Sequence, residues 1–139
     1  MFDKQYDQRL SVWAEFRETL EVVEDPLRAT VDFYKLAPSA SIHTNPWDRA
    51  RWPGPWELLH ENMYCDFTRV LGMCYSLQLT DRFKRSSFEI HISTSNNLAS
   101  VYLLYVDDYI LGYNDNDVIH KNNLPKEIQS QQTYRMSDL

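Results

Sequence analysis

Apolar side chains at Tyr6, Leu10, Trp13, Phe16, Leu20 and Val23 recur in steps of three and four. That spacing places them on one stripe of a helix from Tyr6 to Val23, with charges on the opposite face. Asp25-Pro26 then reads as an N-cap followed by the first helical residue, and Leu27, Val31, Tyr34 and Leu36 predict a second helix that Pro38 stops. The connection is short, so the two helices form an antiparallel hairpin packed through Trp13, Phe16, Val31 and Tyr34. From 37 to 55 the chain holds Pro38, Pro46, Pro53 and Pro55 together with Trp47 and Trp52, a pattern that predicts an ordered, extended Trp/Pro loop. Pro55 opens a short helix carrying Trp56, Leu58 and Leu59. Asn62 is expected to N-cap a longer helix that begins near Met63 to Cys65 and turns Tyr64, Phe67, Val70, Leu71, Cys74, Leu77 and Leu79 to the core.

Beyond this helix the period changes to two. Phe88, Ile90 and Ile92 alternate with Glu89, His91 and Ser93, and Ser95-Asn96-Asn97 marks a turn. A second strand follows from Ala99 to Val106, a tight turn at Asp107-Asp108, a third strand from Tyr109 to Tyr113, and a short fourth at Val118 to His120. After Pro125 the chain turns polar and predicts one turn of helix around Ile128 and an appended tail. The expected architecture is α+β, a single domain over 1–139: a helical hairpin at 1–37, the Trp/Pro loop at 38–55, a central helix packed on a three- or four-stranded antiparallel sheet at 56–124, and a tail at 125–139.

Composition narrows the function classes. The chain has 139 residues, 14 basic against 20 acidic, and a formal net charge of −6. That balance argues against a binder of nucleic-acid phosphates, which draws its affinity from clustered Lys and Arg. No apolar run approaches the roughly 20 residues of a membrane span, and the first ten residues are too polar for a signal peptide, so synthesis and residence in a cytoplasm are expected. Cys65 and Cys74 stand nine residues apart on one helix, a rise of about 13.5 Å, beyond the roughly 7 Å Cα limit of a disulfide. Both thiols are therefore expected free. His43, His60, His91 and His120 are scattered without metal-ligand spacing, and the run Asn114-Asp115-Asn116-Asp117 lacks the glycine and closing glutamate of a calcium loop. No metal and no cofactor are expected. The chain carries 4 Trp, 9 Tyr and 6 Phe. Trp and Arg anchors dominate protein interfaces, so Trp13, Trp47, Trp52 and Trp56 are the candidate contacts to a partner protein.

Two resemblances add to this reading. The order of helix then β-meander over about residues 55 to 120, with Cys65-Asp66 opening the central helix, resembles the transglutaminase-like branch of papain-like cysteine enzymes. It implies Cys65 as a nucleophile whose thiolate the helix N-terminus favours, a histidine to take its proton and a carboxylate or amide to orient that histidine. The implied histidine position falls at Leu98 to Ser100, which holds none, and the orienting position at Asn114 or Asp115. His91 substitutes only with a different sheet register, because alternation turns it away from the helix. The enzymatic alternative is a cysteine-dependent hydrolase or acyltransferase using Cys65, His91 and Asp107 or Asn114. Separately, the segments Asn45-Pro46-Trp47, Trp52 through Leu59, Asn62 through Phe67 and Tyr75 through Phe83 resemble a small protein of contractile-tailed cyanophages. This second likeness implies a bacteriophage product, made in the host cytoplasm and incorporated into the virion, whose partners are phage structural proteins or a host protein. A non-enzymatic interaction or assembly role is the expectation.

Overall fold

The computed structural model describes residues 1–40, 43–114 and 118–137. Helix α1 spans Tyr6–Val22 and α2 Pro26–Tyr34. Asp25 caps α2 as its sequence predicts, with its carboxylate accepting from the Arg28 N–H at 3.1 Å. The hairpin closes through Phe16 stacked on Phe33, ring centroids 3.7 Å apart and planes 9° from parallel.

Helices α3 (Pro55–Glu61) and α4 (Asp66–Gln78) follow, and Asn62 does not cap α4. It ends α3 in the left-handed region, φ 52°, which asparagine tolerates better than most residues. Cys65 takes the N-cap of α4, its N–H donating to Thr68 Oγ1 at 2.8 Å. Between the two helices the chain stays extended because Tyr64 forms a parallel bridge with Ser39: Tyr64 N–H donates to Pro38 O at 3.2 Å, and Ala40 N–H to Tyr64 O at 3.0 Å.

From Phe67 to Leu77 every residue of α4 except Arg69 is buried, the signature of a helix enclosed on all sides. Two devices permit the close packing. Gly72 faces the Tyr34 ring, where a Cβ would lie 2.5 Å from Tyr34 Cε1. One turn on, the Ser76 hydroxyl donates to Gly72 O and accepts from Trp13 Nε1–H and Tyr34 O–H, each at 2.9 Å. One buried hydroxyl thus satisfies two large aromatic polar groups. Arginines close the helix ends. Arg9 donates to Leu59 O and His60 O, both at 2.9 Å, at the end of α3, and Arg82 donates to Leu20 O at 3.2 Å and Val23 O at 2.6 Å at the end of α1.

The sheet comprises β1 (Phe88–Thr94), β2 (Ser100–Val106), β3 (Tyr109–Leu111), β4 (Val118–His120) and β5 (Gln129–Met136), in spatial order β4-β3-β2-β1-β5. Every pairing is antiparallel, and the fold is α+β. The expected tail is instead the edge strand β5, which makes β1 an interior strand. Its sequence, Gln-Ser-Gln-Gln-Thr-Tyr-Arg-Met, carries no apolar alternation because most of it is exposed. Strand β3 ends two residues early, since Gly112 leaves the ladder at φ 95°; a Cβ there would lie 2.9 Å from Tyr102 O.

Phe88 and Ile90 on one sheet face join Leu104 and Val106 in the core with α4. On the opposite face Leu103 and Ile110 are also fully buried. Lys121 is tied to Asp108 just beyond one end of β2, and Glu127 to Asn96 just before the other.

Candidate functional site

The first turn of α4 and the Trp/Pro loop meet in a cleft of about 230 Å³ lined by His43, Thr44, Cys65, Asp66, Phe67, Ser100 and Tyr102. The bridge between Ser39 and Tyr64 brings the loop there, and Arg69 fixes it by donating to Ala37 O at 2.9 Å and Ser39 Oγ at 2.8 Å. A second cavity of about 260 Å³ adjoins the first and shares Asp66, Ser100 and Tyr102 with it. Val31, Val70 and Met73 contribute apolar lining to this second cavity, with Lys35, Arg69 and Asn114 among its polar members.

Cys65 is 7% exposed. Burial pushes its thiol up, but hydrogen bonds outweigh burial: the Thr68 hydroxyl and the backbone N–H groups of Thr68, Thr44 and Phe67 all favour a charged sulfur, and the thiol sits below its ordinary value. The Thr68 hydroxyl lies 3.5 Å from the sulfur.

The other residues of the implied triad are elsewhere. His91 lies on the sheet face away from α4, stacked on Tyr105 with centroids 3.9 Å apart and 3.1 Å from Glu89 Oε1. Asp107 lies just past the far end of β2, its carboxylate accepting from Ser87 N–H at 2.8 Å, seven residues or about 23 Å along the chain from Ser100. The set Cys65, His91 and Asp107 is not assembled. Ser100 does stand in the cleft beside Cys65, and Asn114 lines the adjoining cavity. Residues 115–117, with most of the acidic Asn/Asp run, lie outside the described residues. Among the described residues no group of His, Cys, Asp and Glu could hold a metal ion, and no helix is long and apolar enough to cross a membrane.

The tryptophans divide into two kinds. Trp13 is 2% exposed and bonded to Ser76, so it serves the core and is no contact surface in this fold. Trp52 is half-buried between Phe67 and Tyr134, with centroids at 4.9 and 4.8 Å. Trp47 and Trp56 remain 56% and 51% exposed. A turn displays Trp47: Pro46 sets its second position, Asp48 N–H donates to Asn45 O at 3.2 Å, and Asn45 Oδ1 accepts from Trp47 N–H at 3.0 Å. Trp56 rests edge-on against Trp13, centroids 5.3 Å apart, with the Arg17 guanidinium 5.8 Å from its ring.

Sequence reasoning missed His43. The resemblance places its imidazole after Cys65 in chain order, whereas His43 precedes Cys65 and lines the cleft with it. The only trace in the sequence is the proline-free run from Ser39 to Asn45 between two prolines, which is free to pair with another segment. No protein-family description matches the chain, and neither do curated proteins or solved structures.

Proposed function

We propose that the chain is a non-enzymatic interaction protein of a bacteriophage, a structural or assembly component of the virion that works in the host cytoplasm and binds another protein through Trp47 and Trp56. The display of Trp47 on a turn held by two hydrogen bonds carries this reading, because a fixed, half-exposed indole loses little freedom on binding. The phage assignment rests on the resemblance of the four segments around Trp47, Trp52, Cys65 and Tyr75. Quantitative mass spectrometry of particles purified from infected cells is the test. A fixed copy number of the chain per particle is expected, with Trp47→Ala and Trp56→Ala melting like wild type but failing to incorporate. Absence from particles removes the virion role, and unfolding of both variants makes the two indoles structural.

A second reading is cysteine-dependent hydrolysis or acyl transfer at Cys65. Its place at the N-cap of α4, with the Thr68 hydroxyl 3.5 Å from the sulfur, favours it. Cys65 should then alkylate far faster than Cys74 near neutral pH, and equally slow labelling of both thiols ends this reading.

A further inference from the structure

We propose that the cavity between α2, α4 and the start of β2 binds a free α-amino acid with a branched apolar side chain, Arg69 holding its carboxylate and Asp66 its ammonium group. No tryptophan lines this cavity, so the site goes beyond the partner contacts at Trp47 and Trp56.

One side of one helix builds its main wall. Asp66, Arg69, Val70 and Met73 stand three and four residues apart, which puts them on a single stripe of α4, and all four line the cavity. Val31 and Tyr34 of α2 close a second side, and Ser100, Val101 and Tyr102 of β2 a third. Gly112 lies at the boundary and adds no side chain to fill the space; a Cβ there would lie 3.4 Å from Val70 Cγ2 and 2.9 Å from Tyr102 O. The volume of about 260 Å³ is just under the roughly 300 Å³ at which small-molecule sites begin, so the occupant is small.

Charge selects its chemistry. Lys35, Arg69 and Asp66 are the charged residues of the lining. The Lys35 ammonium is already offset by Asp32 Oδ1 at 2.8 Å. Arg69 Nη2 donates to Ala37 O and Ser39 Oγ, its Nε is buried with no partner, and among the described residues no carboxylate pairs with it. The exposed Asp66 carboxylate likewise has no ion pair among the described residues. One cation and one anion thus stand a turn apart on the same stripe without neutralising each other. A simple anion meets Asp66 as a like charge, and a simple cation meets Arg69 in the same way. A molecule carrying both charges satisfies both. Residues three apart on a helix have Cβ atoms about 5–6 Å apart, a span that the neighbouring ammonium and carboxylate of one α-amino acid can bridge. Its side chain then falls to Val31, Val70 and Met73, where an apolar group gains by burial and a polar one loses its hydration.

Amide chemical-shift titration of the nitrogen-15-labelled full chain tests the site with four probes: L-leucine; isoamylamine, which lacks the carboxylate; isocaproate, which lacks the ammonium group; and L-asparagine, which replaces the apolar side chain. L-leucine should shift the amides of Val70, Tyr102 and Gly112, and each of the other three should bind at least about tenfold more weakly. Asp66→Asn should weaken L-leucine about tenfold and bind isocaproate no more weakly than wild type does. The probe series needs no variant, so it decides the proposal even where Asp66→Asn fails to fold. Absence of L-leucine binding overturns the proposal, as do shifts confined to another part of the chain. Equal binding of either singly charged probe, or unchanged L-leucine affinity in folded Asp66→Asn, overturns it too.

Discussion

One cysteine stands at the N-cap of helix α4 and another in its buried interior, and the two sit in opposite chemistry. Cys65 at the N-cap lies under backbone and hydroxyl donors at the rim of a cleft, and its thiol is held below the ordinary value. Cys74, two and a half turns later, is fully buried; burial alone drives its thiol well above the ordinary range, and its Sγ donates to Gln78 Oε1 at 3.4 Å. Composition is the same at both places, and position on the helix decides the behaviour. The first turn of a helix has N–H groups to spare, whereas the interior has none, so an identical thiol is charge-ready at the N-cap and a small hydrophobe in the interior.

The interior end should therefore respond strongly to substitution. Trp13→Ala removes the largest buried side chain and orphans the Ser76 node, at an expected cost of about 3–5 kcal/mol in urea unfolding. A smaller loss would mean that α1 packs on α4 less tightly than its burial indicates. Gly72→Ala forces its new Cβ into the Tyr34 ring and should cost about 1–3 kcal/mol. A neutral result there would show that α2 can shift away from α4. Cys74→Ser puts a hydroxyl in the buried interior of α4 beside Gln78 Oε1, with an expected loss of about 1–3 kcal/mol.

What the sequence revealed divides along similar lines. The helices α1 and α2 and the strand β1 are legible because one face of each is buried more deeply than the other, which imprints a period of three and a half or two on the residues, whereas α4 and β2 show as apolar runs bounded by polar residues. Trp13 shows the same logic: its place on the α1 stripe marks it as core, and its size alone made it look like a contact residue. Strand β5 was invisible, since an exposed edge strand needs no apolar alternation and its backbone ladder with β1 leaves no trace in side-chain pattern. Arg9 read as part of the charged face of α1, yet the carbonyls ending α3 draw it inside. The cleft was half legible. Cys65 at a helix start follows from local pattern, whereas His43 depends on a bridge between residues 39 and 64, a pairing that no local rule reports.

Alkaline pH separates the two thiols by sign. An acid whose folded pKa is depressed adds stability as pH rises through that value, and Cys65 reaches its full contribution above the unfolded thiol value of about 8.5. Cys74 does the reverse, because above about 8.5 the unfolded thiol ionises while the folded one stays neutral. Tyr34 and Tyr75, each pushed up to about 12 by burial, add losses once the unfolded phenols ionise near pH 10. Several groups outweigh one, so the urea midpoint should fall steadily above about pH 9. A midpoint that rises instead would mean that Cys74 and these phenols are more solvated than their burial shows.

The smallest effect belongs to Cys65→Ser. Serine is among the preferred N-cap residues, its hydroxyl can accept the same N–H donors at the start of α4, and the Cys65 N–H bond to Thr68 is untouched, so the stability change should stay within about 0.5 kcal/mol. The midpoint at neutral pH measures it, and the contrast with Cys74→Ser sharpens the difference between the two ends. A loss above about 1 kcal/mol would show that the fold itself uses the sulfur, in which case the donors around it are accounted for by capping and call for no chemistry. A neutral result has the opposite meaning. Where serine holds the helix as well as cysteine does, the sulfur adds nothing to the capping of α4 that a hydroxyl would not.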